Sequence, residues 1–169
     1  MRTNVNELKN FINEKVLVKG WVSQFRELKK MSFLILRERT GYCQIIIPKE
    51  ISQSISPESV VEIIGVVKEE SQSRYGGYEI VAESINIISN AQLLPFPINR
   101  EEGIPQFNVL NNYRPLTLRK EKERCIFKIQ SEIIWAYREY LRSQGFTEIQ
   151  STKISSAGLE GGSEMFEIE

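Results

Sequence analysis

Residues 16–47 read VLVKGWVSQFRELKKMSFLILRERTGYCQIII, and this stretch decides the fold. It holds three short β-type runs, Val16–Val22, Ser32–Arg37 and Tyr42–Ile47, with the polar connection 23–31 after the first and Thr40-Gly41 between the second and third. Branched and aromatic residues bounded by turn residues read as strands, and a glycine-bearing tight connection reads as a hairpin. Working outward, two more runs follow, Val60–Val67 and Tyr78–Ile88, joined across Gly76-Gly77. The polar segment 48–59 has room for a short helix. Before the first run, Val5, Leu8, Phe11 and Ile12 mark an amphipathic N-terminal stretch.

Five strands in about ninety residues, with an insertion between the third and fourth, outline a five-stranded Greek-key barrel of the OB type. An SH3-like barrel or a small sandwich is the structural alternative. Pro95, Pro97, Gly103 and Pro105 then punctuate a stretch of little periodicity, read as a hinge over residues 91–113. Beyond it the period changes from two to 3.6. Ile126, Ile129, Ile133, Tyr137, Tyr140 and Leu141 mark one face of a helix from about Leu118 to Ser143, which Gly145 stops. Phe127, Ile134 and Trp135 widen that stripe beyond what a lone surface helix needs, so a domain or a second subunit is expected to cover it. The division is thus a barrel at 1–90, a hinge at 91–113 and a second unit at 114–169.

Composition excludes several chemistries. The 169 residues carry 22 Lys+Arg against 22 Asp+Glu, and the chain contains no His and no Asp. Ser-His-Asp and Cys-His catalysis and His-ligated metals are therefore ruled out. Cys43 and Cys125 lie far apart in apolar surroundings and read as buried free thiols. No basic leader with an apolar stretch and no run of membrane-spanning length is present, so a cytoplasmic location is expected.

Zero net charge hides local clusters. Arg26, Lys29, Lys30, Arg37 and Arg39 outnumber Glu27 and Glu38 between Trp21 and Thr40, and six cations oppose two glutamates between Arg114 and Lys128. Basic clusters on a neutral chain suit a polyanion that touches part of the surface.

Particular segments then carry a resemblance. Val18-Lys19-Gly20-Trp21-Val22, Arg26-Glu27-Leu28, Phe33 to Gly41 and Gln44 resemble the anticodon-binding OB domain of class IIb aminoacyl-tRNA synthetases, nearest the aspartyl and asparaginyl enzymes of archaeal type. Tyr113-Arg114-Pro115-Leu116, Arg119 to Arg124, Phe127 and Ile129 resemble the α+β start of that family's catalytic domain. Arg142 to Ile149 is similar to its motif 1, and Gly158 to Phe166 to the loop that covers the amino acid.

The resemblance implies an RNA reader. Phe33 would stack on an anticodon base, Gln44 would bond a base edge, Arg26 would contact the same loop and Glu79 would be a further base reader, with Lys29 and Lys30 meeting phosphates. Such sites work by aromatic stacking and cation–phosphate contact. It also implies tRNA(Asp) or tRNA(Asn) as partner, a homodimer through the motif 1 helix, and Glu160 holding the amino acid's amino group. ATP and Mg2+ belong to the full-length family, which activates Asp or Asn and transfers it to tRNA. The later motifs that hold adenylate and metal have no counterpart in these residues, so no cofactor and no catalysis are expected of the chain alone. A stand-alone synthetase-derived RNA-binding or regulatory module is the alternative. Thr152 stands where motif 1 usually has proline, which loosens a turn at the expected dimer interface.

Overall fold

The computed structural model describes residues 2–99 and 105–150. Five strands, β1 (Lys15–Glu27), β2 (Met31–Glu38), β3 (Gly41–Pro48), β4 (Val60–Glu69) and β5 (Tyr78–Ser89), close into a barrel in the order β1-β2-β3-β5-β4. All neighbours are antiparallel except β3 and β5, which run parallel over Gln44–Ile46 and Glu79–Val81. This is the five-stranded OB barrel expected from the run spacing. The polar insertion between β3 and β4 holds only a short 3-10 turn, Lys49–Ile51.

Alternation explains the interior. Val16, Val18 and Val22 of β1, Leu34 and Leu36 of β2, Cys43, Ile45 and Ile47 of β3, Val61, Ile63 and Val67 of β4, and Ile80 and Ala82 of β5 all point inward and are buried. Each fully buried aliphatic contributes about 1.5–3 kcal/mol, and truncating one such as Leu36 to Ala costs about 2–5 kcal/mol. Gly65 is needed where β4 crosses β5: a Cβ there would run into the Val81 carbonyl and the Ile80 side chain. The amphipathic N-terminal stretch forms a 3-10 turn, Val5–Asn10, whose Val5 and Leu8 join this core. Glu38 fastens that turn, its Oε1 accepting from the Val5 amide at 3.0 Å and the Thr40 amide at 3.1 Å.

β1 is not regular. Its pairing with β2 steps from Val22↔Leu36 to Gln24↔Ile35, leaving Ser23 as an extra, bulged residue. The bulge changes the phase of alternation, so that Gln24 and Arg26 face outward beyond it. The Ser23 carbonyl accepts a hydrogen bond from the side-chain amide of Asn99.

In the segment expected as a hinge, Phe96 and Ile98 are buried, and helix α1 (Phe107–Asn112) follows. The Phe96 ring meets Tyr113 edge-on, with centroids 6.1 Å apart. The first compact unit of the chain ends at Tyr113, and the second begins at Arg114.

The second unit holds helices α2 (Arg114–Thr117) and α3 (Glu121–Ser143). α3 starts three residues later than its periodicity suggests, because Leu118–Lys120 bond back to α2 as a tight turn. It ends at Ser143 with Gln144 as its C-cap, and Gly145 takes the left-handed φ of +86° that suits glycine. No residue of α3 is buried. Its apolar stripe, including Ile129, Ile133, Trp135, Tyr137 and Tyr140, is exposed. One expectation is corrected here: Cys43 is buried, but Cys125 is exposed, on a helix none of whose residues is buried. No helix among the described residues is long and apolar enough to cross a membrane.

Candidate nucleic-acid interface

Register places the expected site residues on one outer face. Residues paired across a sheet share a face, so the pairing Arg26↔Phe33↔Ile46↔Val81 makes one row across β1, β2, β3 and β5. The next row is Gln24↔Ile35↔Gln44↔Glu79, continued by Lys68 of β4. Four residues far apart in sequence, Arg26, Phe33, Gln44 and Glu79, therefore stand in two adjacent rows.

Their environments differ in useful ways. Arg26 is exposed, and Phe33 and Gln44 are half-buried. Glu79 is 8% exposed and accepts a hydrogen bond at Oε2 from Gln44 Nε2 at 2.9 Å. That bond fixes both groups. Gln44 keeps its carbonyl oxygen and Glu79 its second carboxylate oxygen as adjoining acceptors. Phe33 lies among the apolar residues Ile35, Ile46 and Val81, the setting in which a flat base can lose water without leaving polar groups unpaired.

The cations sort themselves by burial. Lys29 and Lys30 are exposed in the β1–β2 turn, next to the row of Phe33. Lys49, distant in sequence, joins them by donating to the Lys29 carbonyl at 3.2 Å. Arg37 does not belong with this group. It is buried, its two terminal nitrogens donate to Glu58 at 2.9 and 2.7 Å, and its guanidinium lies 5.8 Å from the Trp21 ring centroid. Its charge is spent inside the fold.

Gln24, Ile35, Ile46, Val81 and Lys49 are the additions that sequence reasoning did not single out. Strand register finds Ile35, Ile46 and Val81, the bulge at Ser23 sets the phase of Gln24, and Lys49 joins through its bond to the Lys29 carbonyl. Glu160, the turn around Thr152 and the loop from Gly158 to Phe166 lie outside the described residues. Among the described residues no group of three or more His, Cys, Asp or Glu side chains is placed to hold a metal ion. Burial pushes the Cys43 thiol up to about 12, with the Glu38 charge adding to it, so it is not a nucleophile.

Comparison with known proteins agrees with the fold. The family model for the OB-fold nucleic acid binding domain matches residues 16–88, and that for class II tRNA synthetases (D, K and N) matches residues 106–169. The chain is 35% identical over 170 residues to the aspartate–tRNA(Asp/Asn) ligase of Thermus thermophilus, covering 100% of this chain and 40% of that protein. It is 34% identical over 164 residues to the enzyme of the same name from Archaeoglobus fulgidus, covering 92% and 38%. Among solved structures it is similar to asparaginyl-tRNA synthetase from Pyrococcus horikoshii complexed with asparaginyl-adenylate, with TM-score 0.82, 28% identity, and 96% and 39% of the two chains covered. Aspartyl tRNA synthetase from Entamoeba histolytica gives TM-score 0.77 at 28% identity, covering 92% and 40%. The chain spans about two fifths of the length of the curated relatives it matches.

Proposed function

Because the chain belongs to the class II tRNA synthetases (D, K and N) and corresponds to the N-terminal portion of their aspartate and asparagine members, we propose that its barrel reads the anticodon of tRNA(Asp) or tRNA(Asn). The observation that carries this reading is the hydrogen-bonded pair Gln44–Glu79, placed in the row beside Arg26 and Phe33.

Each side chain has a role in that reading. Phe33 stacks on a splayed base, a contact worth about 1–3 kcal/mol. Gln44 and Glu79, held to each other, present acceptors to N–H groups on base edges and supply sequence preference. Arg26, Lys29 and Lys30 neutralise phosphates and position the loop without reading it.

The ligase of which this is a part would activate Asp or Asn with ATP and Mg2+ and transfer it to tRNA. The 169-residue chain by itself is proposed to bind RNA without catalysing aminoacylation, with Glu160 serving the amino acid only in the whole enzyme. The exposed stripe of α3, running into Phe146 and Ile149, is proposed to pair with a second copy.

The test is a titration against an aspartate-type anticodon stem-loop, with a scrambled-anticodon loop and Phe33→Ala as controls. Tight binding that depends on the anticodon and weakens by at least about 1 kcal/mol in Phe33→Ala supports the reading. Equal, weak binding to both loops overturns it.

A further inference from the structure

A third row continues the outer face past Gln44 and Glu79. Trp21↔Arg37↔Tyr42 pair across β1, β2 and β3, two residues along each of β2 and β3 from Ile35 and Gln44. In the connection between β4 and β5, Tyr75 closes this row, its ring centroid 6.0 Å from that of Tyr42 and its plane tilted by 31°. Both tyrosines are half-buried, and Trp21 is 39% exposed.

We propose that Tyr42 and Tyr75 form a further nucleobase subsite, taking the base that adjoins those facing Gln44 and Glu79. The inference rests on the anticodon-reading proposal and extends it along the strand. Three observations on this face carry it. The first is spacing: two residues of a strand advance about 6.8 Å, so the rows of Phe33, of Gln44 and Glu79, and of Tyr42 recur at a step suited to successive unstacked nucleotides. The second is chemistry, since a paired aromatic platform accepts any base through its π-face. The third is charge. Arg39, in the β2–β3 turn, and Arg74, beside Tyr75, are both exposed, and among the described residues no ion pair occupies either.

Arg37 shares this row by register but adds no free charge to it, being buried, held by both oxygens of Glu58 and lying over Trp21.

The experiment measures binding of the full chain to the anticodon stem-loop and to two versions with an abasic nucleotide immediately 5′ or 3′ of the anticodon. Tyr75→Ala is expected to weaken binding of the intact loop about fivefold or more. It should leave unchanged the already weakened binding of one abasic loop, because the missing base and the missing ring belong to one contact. Tyr75→Ala binding the intact loop as well as wild type overturns the subsite, as does an equal loss on all three loops. Phe33→Ala is run alongside. Loss of binding in Phe33→Ala with no loss in Tyr75→Ala removes the subsite and keeps the anticodon reading, whereas a wild-type chain indifferent to the anticodon removes both. Circular dichroism melting checks that the Tyr75→Ala barrel is folded, so that a loss of binding is not a loss of fold.

Discussion

Replacing Lys29 and Lys30 together by alanine is expected to flatten the salt dependence of RNA binding and leave the barrel intact. Both side chains are exposed in the β1–β2 turn, and with Arg26 and Lys49 they gather four cations at the Phe33 end of the face. For single strands the log–log slope is about −0.7 per phosphate neutralised, so four contacts give about −2.8. Raising salt from about 50 to about 200 mM would then weaken binding roughly fiftyfold. Arg39 and Arg74, meeting phosphates at the Tyr42 row, would bring the slope to about −4.2. The double variant removes two contacts, so the slope shrinks by about 1.4, and for the four-contact face the same salt step costs only about sevenfold. Fluorescence anisotropy with a labelled anticodon stem-loop at four or five salt concentrations reads this directly. The control is Arg37→Met combined with Glu58→Gln, which removes one cation from the same stretch of sequence but from the interior of the fold. Its slope should equal that of wild type. An unchanged slope in the lysine variant, or an equal flattening in the Arg37 control, would refute the assignment of cations by burial.

Glu58→Ala strands the buried Arg37 charge and is expected to cost about 3–5 kcal/mol of stability, checked by urea unfolding; a loss below about 1 kcal/mol would show that solvent reaches the pair. Gln44→Ala and Glu79→Ala should each reduce discrimination between the cognate and scrambled anticodons by more than they reduce affinity for the scrambled one, measured by parallel titrations. Cys125 should react with a thiol reagent at pH 8 while Cys43 stays protected until the barrel opens, as followed by mass spectrometry. The raised Cys43 value also has a sign: the neutral thiol is favoured in the folded state, so its contribution is complete below about pH 9 and is lost as pH rises from there toward about 12, visible as a fall in Tm over that window. Replacing Ile133 and Tyr137 of α3 by glutamate should abolish any self-association seen by sedimentation, without altering the barrel's melting.

The barrel was legible because its inward residues alternate cleanly and its two hairpins carry glycine. Val16, Val18 and Val22, or Cys43, Ile45 and Ile47, announce their strand by period alone. The candidate site was legible only through resemblance, since a half-buried Phe33 or Gln44 differs little in composition from any other outward strand residue. What the sequence hid depends on interactions between distant positions. Arg37 counts as a cation in a basic stretch until Glu58, 21 residues away, is seen to hold it. Cys125 looks like a core thiol because its helix is apolar, and nothing local reveals that its side chain is exposed. The rows of the outer face depend on register, which the bulge at Ser23 resets midway along β1.

That bulge makes two properties of the barrel genetically separable. With Ser23 deleted, Gln24 and Arg26 would keep their outward phase, because the residue removed is the one that has no partner in β2. The carbonyl to which Asn99 is tied would vanish with it. A one-codon deletion would therefore remove the tie between Asn99 and β1 and spare the face, whereas a one-codon insertion anywhere between Gln24 and Glu27 would move the residues beyond it to the opposite side of the sheet. Length variation in this strand, more than substitution, is the variable to watch when homologous barrels are aligned or grafted.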